Sequence, residues 1–448
     1  MARVRLVLAL LAVLAASVEC QQLDGLAAAA AQLRSQLFTV FTGSSGARAV
    51  LRRQLESARG RLRRSPPVPE PPPSTTALCK QNGHSGCERH EVATQDGYLL
   101  TVVRIPASPG ATPVLLLHGD LASSDSWMMR KDNSNLGTVL HEAGYDVWLG
   151  NVRGSTHSRA HRTLNSSDPA FWEWSWHEMG MYDVPAMVDH VLARTGAASL
   201  HLIGHSMATS SILVFLGERP EYNAKVRLSS LMSPSIRLRR GIIRTTFTLA
   251  SDGRVRDGLQ SYLTRNQFHE IWPRSDLLHY IGDIFCMDDS PFINMCYAMY
   301  EEVLGKGRAD QRLPDYLATF GAYHPGGTSF RCIKHFGATS QSGRFRPLAS
   351  PNDPNPRDYN LTAISSPVAL YYSANDGIID PKDVDRLARI LPKLHEKHEV
   401  PLKQFNHVDF MWAKDVRSLV YQRLVRNMKE VDAKVVATQE RTANNIIR

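Results

Sequence analysis

The sequence lacks a membrane span, a metal-ligand pattern and a charged body. After residues 6–18 no run approaches the ~20 apolar residues that a spanning helix needs, so no transmembrane anchor is expected. The 17 histidines are scattered, with no H-E-x-x-H and no paired C-x-x-C, so neither a metal site nor a cofactor is expected. The formal charge is +9, but ten arginines against three carboxylates in residues 1–65 account for most of it and leave the remainder at +2. A nearly neutral body argues against a nucleic-acid partner. Cysteine is scarce, six in 448 residues.

What is present begins with "MARVRLVLALLAVLAASVECQQ". Arg3 and Arg5 precede an apolar run from Leu6 to Val18, and small residues lead to a cut near Cys20, which reads as a signal peptide over residues 1–20. The chain is therefore expected to enter the secretory pathway and to be secreted or lysosomal. That oxidising route permits disulfides. The short separations suggest Cys79–Cys87 and Cys286–Cys296 and leave Cys332 free, with other connectivities open. Asn165 and Asn360 sit in N-x-S/T triplets and are candidate glycosylation sites.

Residues 21–78 form an extension, rich in Ala and Arg and then in Pro ("SPPVPEPPPSTT"). Arg61-Leu62-Arg63-Arg64 resembles a convertase cleavage site, which would make the extension a propeptide. A basic, disordered arm reads equally well.

An α/β pattern follows. "ERHEVATQDGYLLTVVRI" predicts a hairpin around Asp96-Gly97. Strands are expected at 113–119, 145–151, 199–205, 225–234, 365–376 and 397–405, with an amphipathic helix at 178–196 ended by Gly196. Alternating strands and helices predict a mostly parallel central sheet covered on both faces. The core is expected in two parts, 79–234 and 367–430. Residues 235–366, where the strand rhythm stops, are expected to form a helical cap or lid over the site, and 431–448 a C-terminal tail.

The stretch "LHLIGHSMATSSILVFLG" reads as strand, tight turn, helix, with Ser206 at the turn. Asp376 follows the strand "VALYYSAND", and His407 follows "EVPLKQF". A serine hydroxyl needs a base to take its proton, and the base needs a carboxylate to orient it. The order Ser, Asp, His, each past a strand's carboxyl end, is that of an α/β-hydrolase. Ser206, Asp376 and His407 are thus the candidate triad. Asp380 competes with Asp376, although it can instead cap the helix that starts at Pro381. The oxyanion donors would be the backbone N–H groups of Met207 and Asp120.

The stretches "HEVATQDGYLL", "PVLLLHGDLASSDSW", "GYDVWLGNVRGSTHSRAH", "LHLIGHSMATS", "PVALYYSANDGIIDPKDVDRL" and "FNHVDFMWAKDV" occur in the order found in the acid lipase family, which the chain resembles from about Cys87 to Met428. The resemblance implies an α/β-hydrolase fold and hydrolysis of triacylglycerols or sterol esters at a lipid–water interface through an acyl-enzyme. It also places Cys286 and Cys296 where relatives have a cap disulfide. The chain departs from the family at Met207 and Ala208, where G-H-S-Q-G is usual, at Asp120, where an apolar residue is usual, and at His177, where an acidic residue is common. Two other functions compete: a catalytically weak or inactive lipid-binding homologue, and a short-chain esterase.

Overall fold

Runs of apolar residues buried at nearly every position build the centre of the molecule. The computed structural model describes residues 71–241, 265 and 269–446. The expected signal peptide, the arginine-rich arm with Arg61–Arg64, and part of the cap (242–264) lie outside the described residues. Strands β3 (Pro113–Leu117), β4 (Asp146–Gly150), β6 (Leu200–His205) and β10 (Val368–Tyr372) are buried throughout, and β7 (Val226–Met232) at all but one position. Such strands can only be central and covered on both faces. With β1 (Glu88–Ala93), β2 (Tyr98–Ile105) and β11 (Leu394–Glu399), the described residues form a nine-stranded sheet of order β1-β2-β4-β3-β6-β7-β10-β11, with the two-residue β5 (Ala160–His161) paired to β2. Pairing is parallel from β4 to β11 and antiparallel at β1 (Glu88–Ala93) and β2 (Tyr98–Ile105), the expected hairpin.

Side chains alternate across the sheet. Leu115 and Leu117 face the helices Val184–Thr195, Met207–Glu218 and Pro381–Ile390. Val114 and Leu116 face Leu136–Glu142 and Gln422–Ile446. Gly196 ends its helix at φ 69°, the left-handed cap that glycine provides. Above the sheet lie four described cap helices, Asp276–Phe285, Ile293–Leu304, Tyr316–Tyr323 and Phe330–Ser342. A short ribbon of β8 (Glu270–Ile271) and β9 (Thr328–Ser329), not foreseen from the sequence, accompanies them.

The sheet's hairpin is tied down by a buried charge cluster. The Arg153 guanidinium, almost fully buried, reaches Asp183 at 2.6 Å and Asp96 at 2.6 and 2.9 Å and lies over the Tyr98 ring at 4.0 Å.

Three expectations are corrected. The last strand, β11, is Leu394–Glu399 rather than 397–405, because Pro401 has no N–H to continue the ladder. Residues 431–446 are no tail: they continue the helix Gln422–Ile446, whose Asp432 binds Arg227 at 2.7 Å, His201 at 3.0 Å and the Tyr145 hydroxyl at 2.9 Å. Cys79 and Cys87 are free thiols. Their sulfurs share a hydrogen bond, which pushes the buried Cys79 thiol up and draws the Cys87 thiol down. Cys332 is free, and Cys286 and Cys296 form a disulfide with Cα atoms 5.8 Å apart.

Candidate active site

Ser206 stands between β6 and the helix Met207–Glu218 with φ 53° and ψ −120°, a conformation that L side chains rarely adopt and that needs surrounding structure to hold it. That structure is visible. Its N–H donates to the Met232 carbonyl at 3.0 Å, and its carbonyl accepts from the Thr209 N–H at 2.9 Å. Ala208 lies inside the helix and is buried. The methyl that replaces the usual glycine is therefore accommodated, and the turn keeps its shape.

Across Ser206 sits His407, with Nε2 2.8 Å from Oγ. Its Nδ1 lies 2.9 and 3.0 Å from the two oxygens of Asp376. Asp376 Oδ1 also accepts the N–H groups of Ile378 and Ile379 at 2.8 and 2.9 Å, and Oδ2 accepts the hydroxyl of Ser233. Burial would push this carboxyl up, but His407 and these donors outweigh it and hold Asp376 below the usual carboxylate range. Asp380 takes the other role considered for it: it caps the helix Pro381–Ile390 by accepting from the Lys382 N–H at 3.0 Å.

Both candidate oxyanion donors flank the serine. Met207 opens its helix, so its N–H has no intrahelical acceptor. Gly119 packs so tightly against the elbow that an added Cβ would lie 3.1 Å from Ser206 Cβ and from His205 Nδ1. This brings the Asp120 peptide alongside the serine. The Asp120 carboxyl folds back on its own loop, where Oδ1 accepts from the Leu121 N–H at 3.2 Å, and burial pushes it up to about 6. In acid the group next to the would-be oxyanion is neutral.

Two further groups support the site. His205, kept neutral by burial that lowers it to about 3, shares a hydrogen bond with the His407 carbonyl at 2.8 Å; with its proton on Nε2 it is the donor. The cap also takes part. The Leu304 carbonyl, at the end of Ile293–Leu304, accepts the N–H groups of both Gly377 and His407 at 3.0 Å. Gly305 (φ 97°) and Gly377 make that approach possible, since a Cβ on either would collide with the other's backbone neighbourhood. His205 belongs to the G-H-S turn quoted from the sequence, but its partner is not legible there, and a backbone carbonyl carries no sequence mark at all. Among the described residues no group of three or more His, Cys, Asp or Glu side chains could hold a metal ion. No helix there is long and apolar enough to cross a membrane.

The chain matches two family patterns, the alpha/beta hydrolase fold over residues 112–261 and the partial alpha/beta-hydrolase lipase region over 75–131. It is 34% identical over 386 residues to Lipase 1 of Drosophila melanogaster, covering 84% of each chain. It is 32% identical to gastric triacylglycerol lipase of Bos taurus, covering 77% of this chain and 88% of that one. Against Lipase member N of Homo sapiens the identity is 31%, covering 80% and 91%. By its lipase-region motif and its extended identity to these lipases, the chain belongs to the acid lipase family of α/β-hydrolase ester hydrolases.

Proposed function

We propose that the protein hydrolyses lipid esters through Ser206, His407 and Asp376. The observation that carries this reading is the continuous chain of contacts from Ser206 Oγ to His407 Nε2 and from Nδ1 to Asp376. His407 takes the Ser206 proton as Oγ attacks the ester carbonyl. The negative charge that develops on the carbonyl oxygen faces the N–H groups of Met207 and Asp120. His407 then returns the proton to the leaving alcohol, and the acyl group stays on Ser206. A water, deprotonated by the same imidazole, releases the fatty acid and restores the serine. Asp376, ionised and fully hydrogen-bonded, keeps Nδ1–H pointed at itself and so Nε2 pointed at the serine.

Long acyl chains, as in triacylglycerols or sterol esters, fit the cap better than short ones. Its Trp272, Met295 and Met299 are exposed, which suits contact with a lipid–water interface. The relatives named for triacylglycerol hydrolysis support the same substrate class. The N-terminal apolar run supports a secreted or lysosomal location. Asn165 and Asn360 are exposed, as glycan attachment requires.

The test is hydrolysis of matched long- and short-chain esters by the purified protein and by Ser206→Ala. The wild type should prefer the long ester, and the variant should lose at least about a thousandfold in kcat. Equal, negligible rates in both proteins would leave a lipid-binding homologue as the reading. A preference for the short ester would make the protein a short-chain esterase.

A further inference from the structure

Ser233 follows β7 by one residue, and no motif in the sequence distinguishes it. It is fully buried. Its φ is 53°, so a residue with a Cβ occupies the left-handed region here, as at Ser206. The chain is pinned on both sides: the Ser233 N–H donates to the Tyr371 carbonyl at 2.8 Å, and the preceding carbonyl, of Met232, receives the Ser206 N–H. Residues 232–233 thus lie between the elbow that carries Ser206 and the strand that leads to Asp376. From this position the Ser233 hydroxyl donates to Asp376 Oδ2 and lies 3.0 Å from His407 Nδ1.

An ionised carboxylate offers about four lone-pair sites. At Asp376 the N–H groups of Ile378 and Ile379 occupy Oδ1, while Nδ1–H and the Ser233 hydroxyl share the other side. Removing the hydroxyl would leave Oδ2 with Nδ1–H alone, among groups buried from water, so that the carboxylate, held by the Ile378 and Ile379 N–H groups at Oδ1, could pivot about that end. The imidazole takes its orientation from that carboxylate.

We propose that Ser233 is a positioning residue of the triad: it locks the Asp376 carboxylate and thereby aims His407 at Ser206. This rests on the catalytic reading of Ser206, His407 and Asp376. A turn held only for its backbone would need no hydroxyl, and glycine would serve it better, because glycine adopts a positive φ without steric cost. The residue present is strained and polar, and its polar atom meets the two side chains on which the proposed proton transfer depends.

Ser233→Gly and Ser233→Ala separate the two roles, because both lack the hydroxyl and only glycine relieves the positive φ. Turnover of p-nitrophenyl octanoate is measured per folded molecule, alongside Tm. The proposal expects kcat to fall about 10- to 100-fold in both variants, in keeping with small misplacements of catalytic groups, with KM unchanged. It expects the Tm of Ser233→Gly to equal or exceed that of the wild type. Should Ser233→Gly fail to fold, Ser233→Ala decides by the same kcat and KM criterion. Wild-type kcat in either folded variant, or a loss of activity that follows Tm rather than the hydroxyl, overturns the proposal. Ser206→Ala is measured in parallel. If it turns over like the wild type, the triad reading itself falls; if it is dead beside a fully active Ser233→Gly, only the role of Ser233 falls.

Discussion

The sheet and the cap hold their apolar residues in opposite ways. Every position of β3, β4, β6 and β10 is buried, and so is every residue of the helix after Ser206 from Met207 to Gly217. In the cap helix Ile293–Leu304 only Tyr297 is buried, while Met295 and Met299 are exposed. Apolar surface removed from water stabilises the fold at roughly 25 cal/mol per Å²; apolar surface left in water does not, and a group of such side chains marks a contact surface. The sheet thus supplies rigidity to the strand ends that carry Ser206 and Asp376, and the cap supplies surface. They meet where the Leu304 carbonyl holds the Gly377 and His407 N–H groups. There the helix Ile293–Leu304 helps to hold the loops that carry Asp376 and His407.

Three measurements test this division of labour. The largest effect belongs to the sheet. Arg153→Met would leave Asp183 buried and Asp96 partly buried without their partner. Breaking a buried pair from one side costs about 3–5 kcal/mol, read as a lower denaturant midpoint of the whole protein. A change below about 1 kcal/mol would mean the hairpin is not part of the cooperative core.

Next is the cap. Cys296→Ser opens a disulfide between residues ten apart in sequence, for which loop entropy gives about 2–3 kcal/mol. That loss should appear as faster limited proteolysis within residues 276–323, with the main unfolding transition unchanged. A matching shift of the main transition would show cap and sheet to be one cooperative unit.

The smallest effect lies at the seam, at Asp120. Burial raises its carboxyl to about 6 in the folded protein, above the ordinary value near 3.9. Between these two values the folded state holds more protons than the unfolded one. Stability from this group is therefore full below about pH 4 and is lost as pH rises to about 6. In the proposed reaction, the anion above pH 6 would also oppose charge on the oxyanion. Asp120→Asn should raise kcat/KM severalfold at pH 7.5 relative to pH 5, compared with the wild type, and should flatten that part of the stability profile. Parallel pH profiles for the two proteins would refute a charge at the hole.

The parts of the fold that were legible in sequence were those with strong local signals. Buried strands of four or more consecutive apolar residues, the Asp96-Gly97 hairpin and the Gly196 cap have short-range physical causes, and the structure has each of them. The bounds of β11 are not legible, because its alternating, half-exposed residues, "LHEKHE", carry little apolar signal. Residues 431–446 read as a tail in sequence because their anchor, Asp432, pairs with Arg227 and His201, more than two hundred residues away. Spacing alone suggested a bond between Cys79 and Cys87, yet the structure holds them as a thiol pair.

The residue types of the proposed triad and their order are legible in the sequence alone. Ser206, Asp376 and His407 each follow a strand or the loop beyond one, and connectivity in a parallel sheet carries such loops to one edge. Tertiary structure decided what surrounds them. Ser233, His205 and the Leu304 carbonyl come from a strand end, the elbow and the cap, and they converge only when the chain is folded. A hydrogen bond depends on distance and direction in space, and neither is encoded in the spacing of residues along the chain.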